Sequence, residues 1–318
     1  MPVEAPALLH ELSQTWRTLG QEQGSGVLRA CAMTLIVAAS EGDDPQELGS
    51  ILASLMRQHP SRMIVLRVCP NRSEIEARTS VQCWMPFGRR QQICSEWIEI
   101  SAGVARLAEV APLLLALTVP DLPVVFWVRH TALSVSSALR PVLPLATRLI
   151  VDSSEATDAG PALAAVRSLA TGQWRLADLA WGRITRWRKA LAGMFATLPS
   201  PRTGRLQWAG PKMSMPACYL DAWLRSSFPG LTLELSSCDP VLPPARVGRI
   251  RVLHLSGPGL DIRLERPAGG SSVSVFANGL SSGLVFASLD ESALLDEELG
   301  IAARDRIFSS ALAAARVV

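Results

Sequence analysis

The spacing of apolar residues changes character along the chain and divides it. VLRACAMTLIVAAS (27–40) is almost continuously apolar, the pattern of a strand buried on both faces. The next segment, EGDDPQELGSILASLMRQHP, switches to helical spacing, with Leu48, Leu52, Leu55 and Met56 on one stripe. Asp43 or Asp44 can cap that helix, with Pro45 at its first position. A second apolar run, SRMIVLRVCP (61–70), completes a β-α-β unit.

EIEARTSVQCW (74–84) and QQICSEWIEI (91–100) alternate instead, and the PFGRR between them reads as a hairpin turn. A helix over about 104–117 leads into LPVVFWV, another buried strand. A helix near Leu133–Leu139 and a last strand at about 147–152 follow. From Pro161 onward the grammar is mixed: helix PALAAVRSLA, the segment DLAWGRITRWRKAL (178–191), strand RLQWAG, helix CYLDAWLRSSF and strand LTLELSS. Several short strands come next, with Asn278-Gly279 a tight-turn signal, and two helical pieces close the chain. The pattern predicts an α/β fold. An N-terminal mixed open sheet with flanking helices and an inserted β-hairpin (1–157) precedes a C-terminal α+β domain (158–318) that carries DLAWGRITRWR.

Composition narrows the function classes. With 318 residues, 48% hydrophobic and 19% charged, the chain can bury a large core. Its net charge of +3 is too small for general nucleic-acid affinity, so no nucleic-acid partner is expected. The basic residues are nearly all arginine, Lys189 and Lys212 being the exceptions; arginine suits planar pairing with carboxylates and aromatic faces. The most apolar region, VAPLLLALTVPDLPVVFWV (110–128), is broken at Pro120 and Pro123, and each half is shorter than the roughly 20 residues a bilayer requires. No basic segment followed by an apolar run opens the sequence, so a cytoplasmic protein without a membrane partner is expected.

The chain shows no GxGxxG after a strand, no GxxxxGK[ST], no GxSxG and no HExxH. Its four histidines are isolated from one another, and its six cysteines lack metal-type CxxC pairs. No catalytic residue, cofactor or metal is therefore assigned. If the hairpin turns at Gly88-Arg89, residues whose numbers sum to 177 face each other, which places Cys83 opposite Cys94 within disulfide reach. They are a candidate redox pair; the alternative is two buried free thiols. In DLAWGRITRWR, Thr185 can cap a helix whose inner stripe is Trp187, Leu191, Met194 and Phe195, leaving Arg183, Arg186 and Lys189 outside it. Asp178 could brace Arg183 or Arg188. Tryptophan and arginine dominate binding hot spots, so Trp127, Asp178, Trp181, Arg183, Trp187 and Arg188 are candidate partner-binding residues. The structural alternative puts the tryptophans in the core and the arginines in solvent.

PDLPVVFWV (120–128), RLIVDSSE (148–155) and DLAWGRITRWR (178–188), in that order and spacing, resemble the OpcA family of glucose-6-phosphate dehydrogenase assembly proteins. The likeness continues through QQICSEWIEI, CYLDAWLRSSF (218–228) and LLDEELG (294–300) to a final helix ending SSALAAA, and so spans essentially the whole chain. It implies a non-enzymatic partner of glucose-6-phosphate dehydrogenase that promotes its assembly or active state, at the entry to the oxidative pentose phosphate pathway. In photosynthetic bacteria the family is also tied to thioredoxin-type redox control, which bears on Cys83 and Cys94. One position departs from the pattern: Arg186 stands where the family usually has proline. The competing reading is a sugar phosphate or nucleotide bound at the sheet's carboxyl edge, near Trp127–Ser134 and Asp152–Ser154.

Overall fold

Strand β2 (Met33–Ser40) is buried from Met33 through Ala39, as its unbroken apolar run predicts. The computed structural model describes residues 3–23, 27–85, 92–130, 137–238, 248–268, 270–286 and 289–317. By internal contacts the chain forms two units, residues 1–152 with 170–177, and residues 153–169 with 178–318.

In the first unit, helix α1 (Ala5–Gln23) precedes the three-residue strand β1 (Val27–Arg29). After β2, helix α2 (Pro45–Met56) starts where the sequence asks it to. The Asp44 carboxylate accepts from the Gln46 amide, Pro45 takes the first position, and Leu48, Leu52, Leu55 and Met56 are buried. Burying each such side chain contributes about 1.5–3 kcal/mol, more than the helix gains from propensity. Strand β3 (Ser61–Val68) then pairs in parallel with β2 along its whole length.

Strands β4 (Glu76–Trp84) and β5 (Gln92–Ala102) form the antiparallel pair, in the register that sets Cys83 opposite Cys94. The turn joining them lies outside the described residues. One edge of β5 carries β4, while β3 and β1 share the other, both parallel to it. Gly103 ends β5 where the chain passes Arg72; a Cβ there would sit 1.9 Å from the Arg72 carbonyl oxygen. A 3-10 turn (Val104–Arg106) leads into α3 (Leu107–Leu117).

Strand β6 (Val124–Val128) returns to the opposite side of β2, β7 (Arg148–Val151) pairs in parallel with β6, and β8 (Arg175–Asp178) lies beyond β7. The sequence reading ended this sheet at β7. The order β5-β3-β2-β6-β7-β8 is that of a doubly wound sheet, built outward from β2 first one way and then the other. Most of the helix expected near Leu133–Leu139 falls outside the described residues; Ser137–Leu139 is a single 3-10 turn.

The second unit holds a six-stranded sheet of order β10-β9-β11-β12-β13-β14: β9 (Thr203–Ala209), β10 (Thr232–Cys238), β11 (Ile250–Gly257), β12 (Leu260–Glu265), β13 (Ser272–Ala277) and β14 (Leu280–Val285). Only β9 and β10 pair in parallel; the remaining neighbours are antiparallel. Leu253, Leu255, Ile262, Leu264, Val273 and Val275 are buried on one side, and the residues between them are more open, the alternation of a sheet covered on one face. Asn278 and Gly279, at φ 48° and 86°, make the β13–β14 turn, which needs left-handed backbone at both positions. The helices of this unit are α4 (Ala159–Leu169), α5 (Leu179–Gly182), α6 (Thr185–Met194), α7 (Met215–Ser227), α8 (Glu291–Leu299) and α9 (Arg306–Ala314).

Candidate functional site

In a doubly wound sheet the ligand crevice opens at the carboxyl ends of the strands between which the winding reverses, here β2 and β6. A dinucleotide there needs a glycine-rich turn that offers backbone amides to its pyrophosphate at a helix start. The β2–α2 turn reads Ser40-Glu41-Gly42-Asp43-Asp44-Pro45, and its own carboxylates fill that role. Buried Asp43 accepts from the Ser40 amide at 3.1 Å, while Asp44 caps α2. From the end of β6, His130 bonds to Asp43, and buried Arg129 donates to Glu47 at 2.9 Å and lies 3.6 Å from Asp43. The residues at this turn do not fit a pyrophosphate, because one would meet carboxylates where it needs amides. The Asp43–His130 pairing escapes sequence reading because 87 positions separate its members. Among the described residues, no group of three or more His, Cys, Asp or Glu side chains is placed to hold a metal ion.

The DLAWGRITRWR segment resolves into two short helices meeting at Ile184. Ile184, rather than Thr185, occupies the cap position of α6, and no side chain caps it. The reason is continuity. The Arg183 amide still bonds back to Leu179 and the Arg188 amide to Ile184, so α6 starts directly off the turn of α5. The Thr185 hydroxyl instead accepts from Arg188 Nη2 at 3.0 Å. Trp187 and Leu191 are buried as the stripe predicts, whereas Met194 and Phe195 are half-buried.

Asp178 is held from several sides. Its carboxylate accepts from the amides of Ala180 (2.9 Å) and Ser153 (3.0 Å), the Ser153 hydroxyl (2.5 Å) and the Tyr219 hydroxyl (2.7 Å). Burial, reinforced by the Asp178 charge and the bond to it, holds the Tyr219 hydroxyl well above its ordinary pKa, so it stays a proton donor. Arg183 donates to the Ser154 hydroxyl at 2.7 Å.

Trp181 is fixed from several sides. Its indole N–H donates to Asp305 at 2.8 Å, the Arg188 guanidinium lies 3.7 Å above its ring, and Tyr219 and Phe308 pack at 6.0 and 5.7 Å. Burial pulls the Arg188 pKa down to about 10, against the opposing charge of Asp305. Trp187 packs edge-on against Phe286 at 5.3 Å. Trp127, in β6 of the first unit, is fully buried between β2 and β7. Four of the six candidate contact residues, Trp127, Asp178, Trp181 and Trp187, are thus interior side chains. Arg183 and Arg188 keep part of their surface, and Lys189 is exposed.

Cys83 and Cys94 form a disulfide across β4 and β5, with Cα atoms 4.1 Å apart. Cys83 is on the exposed side and Cys94 is buried. By contrast the Cys218 thiol is pushed up to about 12, by burial first and then by Asp221, and is chemically quiet.

Two family descriptions match the chain: the glucose-6-phosphate dehydrogenase subunit N-terminal domain over residues 52–168, and its C-terminal domain over residues 175–312. No curated protein matches significantly. Among solved structures, biliverdin reductase from Synechocystis sp. PCC 6803 is 9% identical, with 88% of this chain and 96% of that chain covered and a TM-score of 0.48. The 3-ketoreductase KijD10 of Actinomadura kijaniata is 10% identical over 88% of this chain and 94% of that chain, at a TM-score of 0.45. The putative oxidoreductase yvaA from Bacillus subtilis is 8% identical over 90% and 94%, with a TM-score of 0.45. At such identities and scores, none of the three bears on what this chain does.

Proposed function

The chain belongs to the OpcA family of glucose-6-phosphate dehydrogenase assembly proteins, and on that premise we propose that it is a non-catalytic partner that binds this dehydrogenase in the cytoplasm and favours its active conformation or oligomer. The observation that carries the reading is the pair of family matches, which together run through both units. The chemistry of the first sheet supports it. A crevice whose turn is occupied by Asp43, tied to His130 and Arg129, is built as scaffold. The same arrangement argues against a sugar phosphate or nucleotide at the carboxyl edge near Trp127 and Asp152.

Such a partner acts by differential affinity: it binds one state of the dehydrogenase more tightly and so raises that state's population. A tenfold shift requires about 1.4 kcal/mol, within reach of one well-placed arginine contact. The contact surface proposed around DLAWGRITRWR consists of Arg183, the exposed part of Arg188 and Lys189. Buried Asp178, Trp181 and Trp187 act as its rigid support.

The test adds the purified chain to purified dehydrogenase and follows kcat/KM and oligomer size. Activation or a size change is expected, reduced several-fold by Arg183→Ala combined with Lys189→Glu while the variant keeps its fold. Unchanged kinetics and unchanged size with the wild-type chain would overturn the proposal.

A further inference from the structure

Strand β14 ends the second sheet, and among the described residues only β13 pairs with it. The Asn278-Gly279 turn sets Leu280 opposite Ala277, and just beyond the strand the Phe286 amide donates to the Ser271 carbonyl at 2.7 Å. In an antiparallel ladder, residues that turn both backbone groups toward the neighbouring strand alternate with residues that turn both away. Leu280, Ser282 and Leu284 therefore direct theirs at β13. Ser281, Gly283 and Val285 point their N–H and carbonyl groups outward.

Such an edge is usually blunted by a lysine, a proline or a bulge. Leu-Ser-Ser-Gly-Leu-Val carries no charge and no proline, and its register with β13 runs unbroken from Leu280 to Val285. Leu280 and Val285 are 77% and 73% exposed, and Phe276, opposite Ser281 on β13, is 43% exposed. A Cβ built on Gly283 would meet nothing within 4 Å.

We propose that β14 is a homodimer interface, where a second copy of the chain adds its own β14 antiparallel and the two sheets become one. The pattern of the strand selects a second copy. With the two-fold axis through Gly283, Ser281 faces Val285 of the second copy and Gly283 faces its own counterpart, so every outward backbone group on both strands is matched. Residues directly opposite one another share a face of the sheet, so Val285 of the second copy lies across the small Ser281 from Phe276. An uncharged strand brings no like charge to its copy, and glycine at the axis leaves no side chain between the backbones. A single strand pair falls at the low end of interface sizes, below roughly 1,200 Å², so the dimer forms as concentration rises and dissociates on dilution. Pairing occupies both edges, and assembly stops at two copies. The inference concerns the isolated chain and is independent of the dehydrogenase.

The experiment is sedimentation velocity of the purified full chain over a rising concentration series, with circular dichroism to check the fold of each variant. The expected result is a monomer that passes to a dimer. Gly283→Lys sets two like charges across the axis and should raise the dimer Kd tenfold or more, as should Gly283→Glu. An equal mixture of the two sets opposite charges face to face and should restore the dimer. Ser281→Pro removes an outward N–H that the chain's own sheet does not use, so it should also weaken the dimer, and it gives a second reading should the Gly283 variants not fold. Thr232→Lys, on β10 at the other end of the sheet, should change nothing. The proposal is overturned by a wild-type chain that stays monomeric throughout, by a dimer that both Gly283→Lys and Ser281→Pro leave intact, or by one that the charge mixture does not restore. It is likewise overturned if the edge binds only the dehydrogenase and never a second copy.

Discussion

In the first sheet Arg62 lies against Glu96 and Arg67 against Glu99, whereas in the second Arg266 lies among Arg249, Arg186 and Arg251. Both regions withdraw guanidinium groups from water; in the first the chain sets carboxylates against them, whereas Arg266 rests beside the rings of Trp187 and Phe286. Arg62 donates to Glu96 at 2.5 Å and to the Leu117 carbonyl at 2.8 Å, and Glu96 also accepts from the Trp16 indole at 2.8 Å. Glu99 takes Arg67 from β3 and Arg78 from β4, so one carboxylate joins three strands. A matched buried charge specifies how a fold fits together.

The largest expected effect comes from breaking a match. Glu96→Ala leaves Arg62 buried without its carboxylate and removes the acceptor for Trp16, a loss of about 3–5 kcal/mol in urea unfolding. The pair replaced together, Arg62→Met with Glu96→Leu, should recover most of that loss, because the penalty lies in the orphaned charge. A single variant within about 1 kcal/mol of wild type would mean that Arg62 finds water or another partner, and the contrast between the regions would weaken.

Next in size is the disulfide that closes the edge hairpin of the first sheet. Its half-cystines are 11 positions apart, so removing the cross-link with Cys83→Ser should cost about 2–3 kcal/mol relative to the oxidised chain. Unfolding curves with and without a dithiol reductant, alongside intact mass, measure this; Cys83→Ser itself should not respond to the reductant. If the pair also regulates, activation of the dehydrogenase should differ between oxidised and reduced chain and be constant in the variant.

A smaller effect depends on pH. Burial alone would raise the Glu99 carboxyl, but the bonds and charges of Arg67 and Arg78 outweigh it and hold the folded pKa below the usual 4.5. The unfolded chain therefore takes up the proton first. The stability that Glu99 contributes is complete above about pH 4.5 and is lost as pH falls through the lower, folded value. The stability gap between wild type and Glu99→Gln should accordingly be flat at neutral pH and narrow below pH 4.5. A gap independent of pH would assign the effect to packing.

How much of this was readable in the sequence follows from the range over which each feature is fixed. The burial of β2, the capped α2 and the Cys83–Cys94 register are local, set by period, cap residues and the arithmetic of one hairpin. Strand β8 escaped because RLAD is four residues long and ends in the buried cap Asp178, too brief for periodicity to register. The tryptophans of DLAWGRITRWR were legible as large buried groups or as contact groups, and spacing alone could not choose. What decides for Trp181 is its setting among Asp305, Tyr219 and Phe308, all far along the chain. The seat of Arg266 was illegible for the same reason: α6 supplies Trp187, and Phe286 follows β14.

The smallest expected effect is the sharpest test of the contrast. Arg266→Gln removes stacking on Trp187 and Phe286, worth about 0.5–1 kcal/mol at each ring. It also removes a half-buried charge and its repulsion by Arg249, Arg186 and Arg251, a gain of comparable size. The two should nearly cancel, leaving stability within about 1 kcal/mol of wild type, while Glu96→Ala in the same buffer loses several. If Arg266→Gln instead unfolds at much lower urea than wild type, Arg266 is matched after all within the chain, and the two regions obey one rule.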